Sequence, residues 1–248
     1  GTSTTGTNYS VDIASNSDWA FTSALATCAG HPCDVTVRRG TYTFLNHFQN
    51  PNTVRFIFEE GAVITQEGNL ANVFSNSGTL VNPTFMPRNF WAGGYYLCVF
   101  SSGTVENATF RNFSVGDLGA ASGDNGTKDT MILAMGWKPT INGLKINTGS
   151  FGSGTASQRN SFFYSKLAIF GKFTNFQVDY TSLVSCSWQQ AFSSFSVFDN
   201  WRLNLSAVRD SWQGRVVALG GIGENGGLRN IYSNHVIVAT GVVPAGGN

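Results

Sequence analysis

The chain repeats one short phrase, and the interval between its copies limits the possible folds more than any other feature. Phe110-Arg111-Asn112-Phe113-Ser114-Val115 returns at 173–178, at 198–203 and, more loosely, at 228–233, and Ile141-Asn142-Gly143-Leu144-Lys145-Ile146 fills the gap. With the Asn or Gly as reference, the copies stand at 112, 143, 175, 200 and 230, an interval of about 25 to 32 residues. A period of that size points to stacked supersecondary units rather than one globular core. Within each copy apolar and polar residues alternate with a strand-like period of two. Asn or Gly between two apolar residues suits a tight bend, because both tolerate left-handed backbone. Each unit therefore reads as strand, bend, strand.

A second strand signal precedes most copies, an apolar run that closes on glycine. The runs are 97–100 before Gly103, 131–135 before Gly136, 167–170 before Gly171 and 216–219 before Gly220. Two or three short strands and one longer loop per unit, stacked in parallel, predict an all-β fold. Its form is a single-stranded right-handed parallel β-helix, a solenoid rising about 4.8 Å per coil.

The N-terminal part adds a cap. Residues 18–27 hold the best helix signal, with Ser17 or Asp18 as N-cap and Trp19, Ala20, Leu25 and Ala26 on an apolar face. Strand pairs follow around Gly40 and Gly61. A short helix here would cover the first coil, whose open edges need covering. The expected organisation is a linker over 1–16 and one β-helix domain over 17–248, with cap and first coils at 17–66 and repeated coils at 67–240.

Charge and composition narrow the partners. Charged residues make up 12% of the chain and the formal net charge is +1, which argues against a nucleic-acid surface or a polybasic membrane patch. No apolar run approaches the length of a membrane span. Cys28 and Cys33 are spaced to close a small disulfide loop, which an extracellular chain permits. The alternative, a metal held there with His31, lacks a second ligand pair, so no metal and no cofactor is expected.

Arg39-Gly40-Thr41-Tyr42 followed by Phe58-Glu59-Glu60-Gly61-Ala62-Val63-Ile64, behind a short helix and a strand, resembles the opening of the pectate-lyase-like superfamily. The version it resembles is that of bacteriophage tailspikes and polysaccharide depolymerases. The likeness is specific over 17–66 and architectural from there to about 240. It implies a right-handed parallel β-helix that binds or cleaves polysaccharide, and a homotrimer when carried on a phage tail. The clustered aspartates of calcium-dependent pectate lyases and the Gly-His-Gly motif of polygalacturonases are not present.

Loops are expected at roughly 83–96, 116–129, 148–164, 180–191 and 206–214, at equivalent points of successive coils and hence on one face. They offer flat rings and planar donors suited to sugar: Trp91, Tyr95, Tyr96, Trp188 and Trp212, with Arg159, Gln189 and Arg209. Glycoside hydrolysis commonly uses two carboxylates. Asp179 and Asp210 belong to consecutive coils beside Trp188 and Trp212. Asp179 also falls into a polar series, Asn147, Asp179, Asn204 and Asn234, four residues after each reference position, which leaves Asp210 the better isolated catalytic candidate.

Three functions fit this reading. One is an extracellular or virion-borne tailspike-type receptor-binding module, which binds, or binds and depolymerises, a bacterial surface polysaccharide as a homotrimer. A second is a secreted monomeric lyase or glycoside hydrolase. The third is a structural or adhesive β-helix without chemistry. An apolar outer face along the whole solenoid would favour the trimer.

Overall fold

Parallel strands of two to nine residues, joined by tight bends and by longer segments, wind the chain into successive coils. The computed structural model describes residues 17–44, 48–66, 74–86, 96–115, 130–147, 149–151, 161–178, 187–191, 193–206, 217–218 and 229–240. Helix α1 (Asp18–Cys28) comes first. The first coil is β1 (Cys33–Val37), β2 (Gly40–Phe44) and β3 (Phe48–Asn50), and the second is β4 (Val54–Phe58), β5 (Ala62–Gln66) and β6 (Phe74–Asn76). The third is β7 (Thr79–Val81), β8 (Thr84–Phe85) and β9 (Tyr96–Ser101). Two coils carry a fourth strand: β10 (Thr104–Glu106), β11 (Thr109–Phe110), β12 (Phe113–Val115) and β13 (Thr130–Trp137), then β14 (Thr140–Asn142), β15 (Lys145–Ile146), β16 (Gly149–Phe151) and β17 (Ser161–Ile169). The chain continues through β18 (Lys172–Thr174), β19 (Gln177–Val178), β20 (Ser187–Ala191), β21 (Val197–Asp199), β22 (Arg202–Ser206), β23 (Val217–Ala218), β24 (Ile231–Ser233) and β25 (Val236–Thr240).

The strands stack into three long parallel sheets and one strand pair. Sheet A runs β1-β4-β7-β10-β14-β18-β21-β24, sheet B runs β2-β5-β8-β11-β15-β19-β22-β25, and sheet C runs β3-β6-β9-β13-β17-β20-β23, with β12 beside β16. Seven steps separate the first and last strands of sheet A, about 34 Å at the usual strand spacing. The chain is an all-β parallel β-helix with one short helix, as its repeat predicts.

Identical register puts like positions above one another. In sheet A the inward row passes through Phe56, Leu80, Val105, Ile141, Phe173 and Phe198, all fully buried. In sheet B it passes through Ile64, Phe85, Phe110, Ile146, Val178 and Leu203. From β10 to β22 the second residue of each A-to-B bend also turns inward, giving Ala108, Leu144, Phe176 and Trp201. Rings in one row stack: Phe85 on Phe110 at 4.8 Å, Phe173 on Phe198 at 5.0 Å, Phe176 on Trp201 at 5.0 Å. Each fully buried ring contributes roughly 1.5–3 kcal/mol. Trp201 also donates its indole N–H to the Phe173 carbonyl at 2.9 Å, so its polar atom is satisfied in the core.

The A-to-B bends carry the Asn/Gly phrase, with a shift in two copies. Gly143, Asn175 and Asn200 sit there with positive φ, as read from the sequence, but the equivalents in the other coils are Asn82, Asn107 and Asn234, not Asn112 and Asn230. Asn112 has positive φ too, one strand later, after sheet B. Asn230 instead precedes β24 and donates to the Ser193 carbonyl at 2.7 Å. Two neighbouring Asn–apolar phrases, 107–108 and 112–113, look alike in sequence, and only the strand register separates them. Asn234 likewise leaves the polar series proposed with Asn147 and Asn204, because Asn204 pairs with Val238.

Bend side chains link coil to coil. Asn175 Nδ2 donates to Asn142 Oδ1 at 2.7 Å, Asn200 Nδ2 to Asn175 Oδ1 at 2.7 Å, and Asn107 Nδ2 to Asn82 Oδ1 at 3.1 Å. The C-to-A corners as far as β18 are as short, and glycine there meets the coil below. A Cβ on Gly103 would lie 2.6 Å from the Gly78 carbonyl oxygen, and one on Gly78 would run into that of Pro51.

Helix α1 covers the first coil with part of the face expected, since Ala20 is buried and Leu25 packs against the core while Trp19 and Ala26 do not. Ala20, Phe21, Ala24 and Cys28 are buried, whereas Trp19 is exposed and Ala26 faces solvent. Phe21 packs among Phe44, Phe48 and Phe56 with ring centroids 4.9–5.4 Å away. Ser17 is the N-cap residue, yet its hydroxyl accepts from the Thr43 N–H at 3.0 Å instead of capping the helix. Its own N–H donates to the Thr43 carbonyl, so the residue sews the helix onto β2. Cys28 and Cys33 form a disulfide that closes the turn between α1 and β1, which removes the pair as metal ligands.

Candidate functional site

Every coil leaves sheet B, or the β12/β16 pair, and enters sheet C through a segment that varies in length from coil to coil. These segments are 45–47, 67–73, 87–95, 116–129, 152–160, 179–186 and 207–216. The A-to-B bends are two or three residues throughout and the C-to-A corners are equally short as far as β18, but the last two C-to-A corners lengthen to 192–196 and 219–230. Most of the length variation therefore falls along one edge of the solenoid, as the loop reading expects, with the last C-to-A corners as the exception.

The loop boundaries need correction. Thr84–Phe85 inside 83–96 is β8, Gly149–Phe151 inside 148–164 is β16, and Ser187–Ala191 inside 180–191 is β20. Tyr96, Trp188 and Gln189 are consequently strand residues of sheet C and not loop residues. Tyr96 opens β9 and is level with Thr130, Ser161 and Ser187. Trp188 takes the register position of Ile132 and Phe163, both fully buried, and Gln189 that of Leu133 and Tyr164. Short polar runs such as Ser-Trp-Gln-Gln carry no clear strand signal of their own. Neighbouring coils supply the pairing that makes this one a strand. Trp91, Tyr95, Arg159, Asp179, Arg209, Asp210 and Trp212 lie outside the described residues.

Among the described residues, the exit side of this edge is a row of Met86, Arg111 and Asn147, each donating its N–H to the sheet B strand one coil below. Arg111 is the residue that sequence reasoning passed over. Its Nε is buried and has no acceptor among the described residues. A planar guanidinium with an unclaimed donor beside variable segments can bind carboxylate or sugar hydroxyls in a fixed orientation. The signal was available: Arg111 is the one cation within the first copy of the repeat.

No group of three or more His, Cys, Asp or Glu side chains able to hold a metal is found among the described residues. Asp199, at the end of β21, accepts from Ser233 Oγ at 2.7 Å and Asn234 Nδ2 at 2.8 Å. Those bonds hold its carboxyl below the usual aspartate range, a structural role in the last bend. His235 accepts the Trp201 N–H on Nδ1 at 3.3 Å, and burial pushes its pKa down.

Asp34, Arg55, Thr79, Thr104, Thr140 and Lys172, then Val197 and Ile231, succeed one another on the outer face of sheet A, so this sheet has no apolar face running the length of the solenoid. Exposed large apolar residues gather instead at the C-to-A corner, with Trp137, Ile169, Phe170 and Phe195, and in the last coil, with Ile231, Val236 and Val238. No protein family, curated protein or solved structure matches the chain.

Proposed function

We propose that this chain is an extracellular recognition module of the tailspike type, which binds a bacterial surface polysaccharide and depolymerises it where its carboxylates permit. The observation that carries the reading is the gathering of the variable segments from 45 to 216 along one edge of an otherwise regular solenoid. Such a rigid frame sets successive inserts side by side, and an extended glycan is a ligand long enough to meet several of them. The inserts carry Trp91, Tyr95, Arg159, Arg209 and Trp212, and Arg111 stands at their base. The disulfide at the cap supports an oxidising, extracellular setting.

In this reading Asp210 is the leading general acid or base, with Asp179 as its partner, and the virion-borne form is a homotrimer whose avidity offsets weak single sites. Binding to an array of bacterial capsular and lipopolysaccharide glycans is the direct test, with release of new reducing ends as the readout of cleavage. Asp210→Asn should abolish cleavage and keep binding. A Trp212→Ala, Arg111→Ala double variant should lose binding. Retention of glycan affinity in that variant would sink the proposal. Solution mass by light scattering reports the trimer, and a monomer would favour a free secreted lyase or hydrolase.

A further inference from the structure

From the third coil onward the C-to-A corners repeat a left-handed residue, and the chain fills those positions against both backbone and solvent preference. Ser102, Lys138, Phe170, Phe195 and Arg229 occupy successive corners with φ between 54° and 56°. Register confirms the row, since Thr140 pairs with Thr104 and Lys172, and Val197 with Lys172 and Ile231. At the A-to-B bends the chain answers the same conformation with Asn or Gly. Here it uses phenylalanine twice, which strains the backbone and also leaves the rings exposed, at 42% for Phe170 and 41% for Phe195. Two costs accepted at one position in consecutive coils mark a surface kept for contact.

The neighbouring side chains define that contact. Trp137, 55% exposed, stands beside the row with its ring 5.0 Å from Phe170, and Phe170 stacks on Phe195 at 5.2 Å. Lys138 lies 5.8 Å from the Trp137 ring centre. Lys138 and Arg229 bracket the two phenylalanines within the row, and Lys172 follows on sheet A; all three are exposed and make no ion pair among the described residues. In the corner rows at positions 101 to 104 and their equivalents, no described residue is acidic. The corner is thus a convex aromatic ridge set among cations, on a chain whose net charge is only +1.

We infer that this ridge is a docking edge for an anionic lipid surface, with Trp137, Phe170 and Phe195 entering the interface and Lys138, Lys172 and Arg229 meeting its headgroups. Charge excludes the symmetric alternative, because a second copy packed ridge to ridge would bring the same three cations together. Shape separates lipid from a dissolved polyanion. A convex corner buries little of a rigid chain laid over it, whereas a bilayer interface closes around a protruding ring. Phe170 and Phe195 occupy each other's faces, so nucleic-acid bases have no open ring face between them. Indole and phenyl rings flanked by lysine and arginine suit the headgroup boundary, where each cation near an anionic leaflet adds about 1 kcal/mol. The inference concerns a different corner from the glycan edge and does not depend on it.

The test is co-sedimentation of the whole chain with vesicles of phosphatidylcholine containing about a third phosphatidylglycerol, against pure phosphatidylcholine, with brominated lipid as a quencher of tryptophan emission. Phe170→Asn with Phe195→Asn removes the rings and relaxes the corners, so the variant stays folded, as its circular dichroism will report. The expected result is binding to the anionic vesicles only and weakened by salt. It should fall about tenfold or more in the Asn double variant and likewise in Lys138→Glu with Arg229→Glu. Quenching should disappear in Trp137→Phe. Equal binding to both vesicles, no binding to either, or binding indifferent to these variants would overturn the inference. So would a drop in oligomer mass in the Asn variant, which would assign the ridge to another copy, or ring-dependent binding of dissolved hyaluronate without vesicle binding.

Discussion

Asn175 offers a sharp test of why the repeat is written as it is. It sits at an A-to-B bend with φ of 59°, donates from Nδ2 to Asn142 Oδ1 at 2.7 Å, and accepts from Asn200 Nδ2 at 2.7 Å. Replacement by alanine removes both bonds and places a Cβ-bearing residue, without a helpful polar side chain, in left-handed backbone. The bonds are exposed, so about 0.5 kcal/mol each is the appropriate net value. The conformational cost adds about 1 kcal/mol, for a total near 2 kcal/mol. Glycine loses the same bonds, about 1 kcal/mol, but carries no left-handed cost, and its greater freedom in the unfolded chain adds about 0.5 kcal/mol, for a total near 1.5 kcal/mol. Urea unfolding with a shared m-value would measure both variants, and hydrogen exchange of the Gly143 and Asn175 amides would show whether loss is local to these coils. Alanine equal to or better than glycine would refute the account, because the bend would then owe nothing to left-handed backbone.

Further outcomes follow from other contacts. Cys28→Ser with Cys33→Ser should destabilise the cap by about 2 kcal/mol, the loop-entropy value for so short a closure, measured as a lowered unfolding midpoint. Gly103→Ala should cost about 3 kcal/mol or more, or prevent folding, since the added methyl would meet the Gly78 carbonyl across the coil step; thermal melting reports it. His235 has a folded pKa below its usual value, so the unfolded chain takes up a proton first as pH falls. The stability held by the neutral ring is therefore complete above about pH 6.5 and is lost as pH falls from there towards the folded value. His235→Phe should flatten that part of the stability profile, and an unchanged slope would point to another group.

Much of the frame was legible because parallel stacking makes each coil repeat the same chemical demand. Inward rows need apolar residues every other position, and bends need Asn or Gly, so Val105, Ile141, Phe173 and Phe198 announce themselves. What sequence could not decide was which of two similar phrases stands at the bend, as with Asn107 and Asn112, because register is a property of neighbouring strands. The same limit hid β20: Trp188 and Gln189 become strand residues through pairing with Phe163 and Tyr164, not through their own pattern. Arg111 was overlooked because its unclaimed donor arises from burial. The helix face was partly misjudged because Phe21, in the middle of a small cap, could meet the ring cluster of the first coils while Trp19 could not.

Tight corners after sheet A, and after sheet C as far as β18, set against one free corner have a consequence for how such a chain can change. Over those coils the two tight bends act as a ruler, so the height of each coil does not depend on what is inserted at the third. An insert there stretches a closed loop whose entropy rises by only about 0.6 kcal/mol for each doubling of length. The frame should accordingly tolerate exchange of one whole segment, such as 116–129 or 152–160, for one of different length and composition, with the coils above and below left in place. Recognition can then be rewritten one rung at a time, while the solenoid that displays it stays the same.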